Sequence, residues 1–275
     1  MQRRRSLQER SGYETVNPRY AQLASATDAL VNASVVTRTA EPGYTIVRAP
    51  QRPDYWFGNC LILDAAPEPE SYAEWSQLHA QAFKEAPVER HVVVWEVRGQ
   101  YGGSPEQDGA SAPERRTVFA TRSAPRRHAD IARIGPLSTA ADWDAATEIE
   151  QDVLTIDWPE HRLFAQWRFG VFRDDAAAGH CRVWGALCNG RLVAYAGLYA
   201  NREYGRFITP VTLPEYRRRG IFGALCSVAV GETLRIFPKA TIVIVADAGS
   251  EPAAIYEHLG FDIVGEQYAL ITAVE

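Results

Sequence analysis

A chain of 275 residues is long enough for one large or two ordinary domains, and 46% hydrophobic with 23% charged residues is the balance of a globular protein with a sizeable core. A net charge of −5 supplies no global field for nucleic acid, so no nucleic-acid partner is expected. No apolar run reaches the roughly 18 residues of a membrane span, and the basic start M-Q-R-R-R is followed by no apolar stretch, so neither a membrane segment nor a secretory leader is expected.

Residues 1 to about 17 are polar, and a helix is predicted from Asn17-Pro18 to about Asn32, with Tyr20, Leu23, Ala26, Leu30 and Val31 on one face. Val35–Thr39 and Tyr44–Arg48 alternate as two short strands around Glu41-Pro42-Gly43. Tyr55–Leu63, Y-W-F-G-N-C-L-I-L, reads as a β-prone run broken at Gly58. Ser71 with Glu74 has the spacing of a capping box ahead of a helix carrying Trp75, Leu78, Ala82 and Phe83. A strand at Val92–Val97, a Gly- and Pro-rich loop from Gly99 to Arg116 and a strand at Thr117–Thr121 complete a first α/β unit, residues 1–128. Arg122–Asp130 reads as the linker. Its arginines with Arg115 and Arg116 are either a linker face or a partner patch.

The second unit, residues 129–275, opens with a strand at Ile131–Leu137, a helix capped by Ser138 or Thr139, and another helix over Glu160–Phe172. Strands follow at Cys181–Leu187, Arg191–Tyr199 and Arg206–Leu213, the first two joined by Asn189-Gly190, a strong hairpin signal. After Pro214 comes R-R-R-G-I-F-G, Arg217 to Gly223, and then a helix; a buried strand at Thr241–Ala246, a helix from Pro252 to Leu259 and a strand from Phe261 to Thr272 close the chain. Cys60, Cys181, Cys188 and Cys226 show no C-x-x-C spacing and read as buried thiols in a reducing, cytoplasmic setting, with no metal site expected.

A strand, a turn at Gly220 and a helix N-terminus make a seat for an anion, because the first helical N–H groups lack partners and glycine lets the ligand approach the backbone. The arrangement R-x-x-G-x-x-G after V-T-L-P-E-Y resembles the acetyl-CoA motif of the GNAT N-acetyltransferase superfamily, R/Q-x-x-G-x-G/A; the second small residue of that motif falls on Phe222, with Gly223 one place later. A second motif, E-P-A-A-I-Y-E-H-L-G-F, resembles the closing A-x-x-x-Y-x-x-x-G-F of the family, with Pro252 in place of Ala, while Gly249 stands where many members carry Asn. The order βα(α)βββαβαβ over residues 131 to 275 is similar to the whole GNAT fold, and the first unit resembles a degenerate copy of it, as in tandem GNAT proteins. The fold class expected is therefore α/β, a mixed central sheet flanked by helices, preceded by a second, smaller α/β domain that holds no CoA and shapes the substrate site.

The resemblance implies transfer of an acetyl group from acetyl-CoA to a primary amine, of a small molecule or a protein, by direct attack. Backbone N–H groups of Arg218, Arg219, Gly220, Ile221, Phe222 and Gly223 would cradle the pyrophosphate, and those of Val211, Thr212 and Leu213, on a strand that splays from its neighbour in the family, would meet pantetheine and the thioester carbonyl. Tyr256 would protonate the departing thiolate, although its place on an amphipathic helix face with Ile255 and Leu259 equally suits a packing tyrosine. No base stands out among Glu203, Asp247, Glu251, His180 and His258. Asp142–Phe172, Trp56 and Trp75 are expected around the acceptor. A homodimer is left open, and so is an acyl-CoA-binding regulatory or interaction module without transfer activity.

Overall fold

The computed structural model describes residues 22–97, 112–153 and 161–274. In chain order the elements are α1 (Leu23–Asp28), β1 (Thr37–Glu41), β2 (Tyr44–Arg48), β3 (Cys60–Leu63), α2 (Tyr72–Ala82), β4 (Arg90–Val97), β5 (Glu114–Thr121), β6 (Arg133–Pro136), α3 (Ala140–Val153), α4 (His161–Ala177), β7 (Cys181–Cys188), β8 (Arg191–Ala200), β9 (Tyr204–Thr212), α5 (Ile221–Ile236), β10 (Thr241–Asp247), α6 (Glu251–His258) and β11 (Asp262–Ala273). The eleven strands of the described residues form one mixed sheet in the order β1-β2-β3-β4-β11-β5-β10-β9-β8-β7-β6.

Sequence position does not follow sheet position at the centre. β11 lies between β4 and β5, antiparallel to both, and β5 in turn pairs antiparallel with β10. The point between residues 128 and 129 thus falls in a connection within one continuous sheet, after a first-half strand that is built into the second half. Alternation puts Phe119 of β5 against Tyr256 of α6, while its neighbours Val118 and Ala120 face α1 through Leu23 and Ala24. Likewise Tyr195 and Tyr199 of β8 meet Phe169 and Phe172 of α4 on one face, leaving Ala194, Ala196 and Leu198 for the face covered by α5. Helices α1, α3 and α4 therefore lie on one side, α5 and α6 on the other.

Several local expectations are corrected. The first helix is short, Leu23–Asp28, and the predicted start at Asn17-Pro18 lies outside the described residues, as does most of the Gly99–Arg116 loop; its last residues, from Glu114, are already β5. Tyr55–Leu63 is a 3-10 turn at Trp56–Gly58 followed by a strand, because the Tyr55 ring occupies the space a Cβ at Gly58 would need and the Asn59 side chain binds the carbonyls of Arg52 and Tyr55. The Ser71 hydroxyl donates back to the Glu68 carbonyl instead of capping α2, so no capping box forms. At α3 the box does form: Thr139 Oγ1 accepts from the Asp142 N–H, and Asp142 Oδ2 accepts from the N–H groups of Ser138 and Thr139, which holds the Asp142 carboxyl below its usual range. Asn189 and Gly190 both take positive φ, 50° and 80°, as a tight hairpin between twisted strands requires. All four cysteines are buried and unpaired. Among the described residues no helix is long and apolar enough to cross a membrane.

Candidate active site

The parallel pair β9 and β10 stays together for three residue pairs only, Tyr204 with Thr241, Gly205 with Ile242 and Arg206 with Val243. Beyond them the two strands part, and the remainder of each leads to the N-terminus of a helix on the same face, β9 to α5 and β10 to α6. The closed end of this V is tied to the first half: Arg206 pairs with Asp28 of α1 at 2.8 Å and donates to Thr27 Oγ1 at 3.2 Å. The opening end is bent by a bulge in β9, where the β8 register shifts between Tyr195–Val211 and Gly197–Ile208; Pro210 sits in it, where no ladder donor is required.

The bulge decides which backbone groups face the gap. The Leu213 N–H donates to the Val193 carbonyl at 2.9 Å, so alternation sends the groups of Val211 toward β8 as well and those of Thr212 away from it, into the V. Of the three residues expected to meet pantetheine, Thr212 alone has the orientation for it. Its carbonyl already accepts from Arg217 Nε at 3.2 Å, which folds the arginine loop back on the strand and makes Arg217 a brace.

Past Arg217 the backbone turns through two left-handed residues, Arg218 at φ 61° and Gly220 at φ 75°, before α5 begins. Such a conformation is unfavourable for arginine, and alternating handedness of this kind gathers successive N–H groups into a concavity that suits an anion. Arg218, Arg219 and Gly220 are exposed. The Ile221 side chain, by contrast, is in the core at 1% exposure, so only its backbone can serve. No side chain caps the helix at Gly220.

Phe222 turns inward. Its ring lies 5.8 Å from that of Tyr256, which also touches Phe119 at 5.6 Å and Phe261 at 6.3 Å. Tyr256 is 5% exposed, and burial raises its hydroxyl above the usual tyrosine range, with the Cys226 thiol adding to the effect. Helices α5 and α6 are in contact above this pair, since a Cβ at Gly223 would lie 3.3 Å from Leu259 Cδ2 and equally near Arg127 of the linker. The missing side chain at Gly223 thus permits close packing of the linker and of α6, whatever its backbone N–H binds.

Residues 143–261 match the family model described as "Acetyltransferase (GNAT) family". This segment is a GNAT domain. A search of curated protein sequences finds no match. Among solved structures, a conserved protein of unknown function from Staphylococcus epidermidis superposes with a TM-score of 0.69 at 11% identity, covering 87% of this chain and 95% of its own. A GCN5-related N-acetyltransferase from Kribbella flavida gives 0.62 at 14% identity, with 93% and 96% covered, and a tandem GNAT protein of the clavulanic acid biosynthesis pathway gives 0.55 at 13%, with 84% and 78% covered. At such identities the likeness is one of fold. The family that residues 143–261 match is one of acetyltransferases.

On the α3–α4 side of the GNAT domain, the first half supplies a wall. Tyr55 packs against Phe164 and Trp167 of α4 at 5.6 and 5.7 Å, and its hydroxyl accepts from Asn32 Nδ2 at 3.0 Å. Arg52 lies 4.9 Å over the Trp167 ring. Phe57 lies 4.3 Å below the Arg116 guanidinium, which reaches Asp247 at the end of β10 at 3.6 Å. Residues 55–57 thus reach from α4 across to the open arm of the V. Trp56 belongs to this turn, under Arg90, whereas Trp75 packs on Tyr44 in the α2 layer, away from the site.

Sequence reading missed one cluster here: Glu150 of α3, fully buried, accepts from the Tyr195 hydroxyl and pairs with Arg168 of α4. Burial raises the Tyr195 hydroxyl above its ordinary range and lowers the Arg168 guanidinium below its own. The available signal was position, since Glu150 stands on the same helical stripe as Trp143, Ala146 and Ile149. The five base candidates are scattered. Glu203 and Glu251 are exposed, Asp247 is engaged with Arg116, His180 with Asp175 at 3.8 Å, and His258 with Arg127.

Proposed function

We propose that the protein is an N-acetyltransferase that moves the acetyl group of acetyl-CoA to a primary amine, borne by a small molecule or a protein, within a ternary complex. The observation that carries this reading is the parting of β9 and β10 after Val243, with the Arg218–Gly220 turn at the same end of the gap. An extended thioester arm fits between two strands that have stopped pairing, and a diphosphate fits a turn rich in free N–H groups and arginine.

In this reading the amine nitrogen attacks the thioester carbon, the carbonyl oxygen takes up charge opposite the Thr212 N–H, and the C–S bond breaks as the nitrogen loses a proton. One well-placed donor to such an oxyanion contributes about 3 kcal/mol of barrier lowering. Tyr256, held protonated by its surroundings, supplies the proton to the thiolate, and a water relaying to a carboxylate takes the one from the amine. Buried, unpaired thiols support a reducing cytoplasmic setting, and the net charge of −5 supports partners other than nucleic acid.

The contact of Phe222 with Tyr256 favours a second reading, an acyl-CoA-binding module without transfer activity, because the Phe222 ring packs on the side chain cast as proton donor, which is only 5% exposed. Calorimetric titration with acetyl-CoA, followed by release of free CoA thiol over a panel of amines, separates the two. Binding with thiol release supports the enzyme, binding without release over the whole panel supports the module, and no binding removes both.

A further inference from the structure

The linker between β5 and β6 runs back along α5. The glycines of α5 and the one before it show its path: a Cβ at Gly231 would lie 3.7 Å from Ala124 Cβ, at Gly223 3.3 Å from Arg127 Cβ and Cγ, and at Gly220 3.7 Å from the His128 carbonyl oxygen. From the Gly223 position the Arg127 guanidinium spans to the end of α6, its Nη2 standing 3.0 Å from His258 Nε2 and 3.1 Å from the His258 carbonyl oxygen. A guanidinium only donates, so His258 Nε2 accepts and the imidazole carries its proton on Nδ1. The two helices that follow the arms of the V are thereby pinned together at their outer end, above Phe222 and Tyr256.

We propose that Arg127 is a latch on the cofactor groove: paired with His258 it bars the seam between α5 and α6, and with acetyl-CoA seated it binds a phosphate of the cofactor instead. The proposal rests on the acetyl-CoA reading above. A phosphate oxygen is a stronger acceptor for a guanidinium than a carbonyl or a neutral imidazole, so the exchange runs toward the ligand. Both Arg127 and His258 are exposed, so the guanidinium swings without leaving a buried partner uncompensated, and Gly223 offers no side chain in its path. The linker then reports cofactor occupancy to the first half, since it continues directly from β5.

The test is the dissociation constant for CoA, by calorimetry at fixed salt, on the full-length protein and on Arg127→Ala and His258→Ala, each checked for an unchanged melting profile. Loss of the phosphate partner weakens Arg127→Ala about tenfold, the range of one charge-assisted hydrogen bond discounted for exposure. His258→Ala binds about threefold more tightly, because the closed state loses one of its two acceptors while Arg127 remains available. Opposite signs support the latch. Shifts in the same direction, or no shift in either variant, overturn it while leaving the acetyl-CoA reading in place. No CoA binding by the wild-type protein overturns the acetyl-CoA reading, and the latch falls with it.

Discussion

Residues 129–275 expressed alone should fail to fold, and β5 gives the reason. Removing it strips β10 of its antiparallel partner from Ile242 to Asp247 and β11 of its partner from Asp262 to Ala269. Roughly a dozen ladder hydrogen bonds go with it, each worth about 1 kcal/mol net. Val118 and Phe119, both at 0% exposure, contribute about 1.5–3 kcal/mol each in burial. The sum, on the order of 15 kcal/mol, reaches the top of the usual range of about 5–15 kcal/mol for whole domains. Far-UV circular dichroism, amide dispersion by NMR and gel filtration should show an unfolded or associating fragment, and adding residues 22–128 in trans should restore dispersion. A monomeric 129–275 fragment that melts cooperatively within about 5 °C of the full chain would refute this reasoning and make the two halves separable domains.

Tyr256→Phe should lower turnover by roughly ten- to a thousandfold in the thiol-release assay while leaving acetyl-CoA affinity nearly unchanged, and unaltered turnover removes Tyr256 from the mechanism. Gly197→Ala places a Cβ about 2.5 Å from Ile208 Cγ1 and 3.2 Å from Val183 Cγ2, so urea unfolding should show a loss of about 1–3 kcal/mol; a stable variant would mean the β8–β9 bulge relaxes freely. His79 is fully buried, and burial, with a smaller contribution from His91, lowers its pKa from 6.5 to about 4 against the opposing hydrogen bond to the Asn59 carbonyl. The folded state thus disfavours the charged imidazole: stability is fully present above about pH 6.5 and falls as the pH drops toward 4, by at most about 3 kcal/mol. Unfolding midpoints measured from pH 7 to 4 should show this slope and lose it in His79→Gln; an equal slope in both assigns the acid sensitivity elsewhere.

Secondary structure of the second half was legible because its signals are local. Asn189-Gly190, the Thr139 cap of α3 and the 3.6-residue rhythm of α5 depend on neighbours within a turn or two, and the structure follows them. The parting of β9 and β10 was implied by the family resemblance and by no residue of its own, since it depends on what lies beside each strand. The place of β5 between β10 and β11 had no local mark, because an alternating run pairs equally well with any partner of matching register. Gly223 shows the same limit at one residue: a glycine needed for close approach looks alike whether the visitor is a phosphate or Arg127. Glu150, a charge on an apolar stripe, could have been found by asking which residue broke the pattern.

The insertion of β11 between β4 and β5 also governs the order of events at the ribosome. The two flanking strands emerge long before the one that fits between them, and until it arrives each presents a bare hydrogen-bonding edge to neighbouring nascent chains. A chain cut short before Asp262 would leave that slot open for good, with the facing edges of β4 and β5 both unpaired.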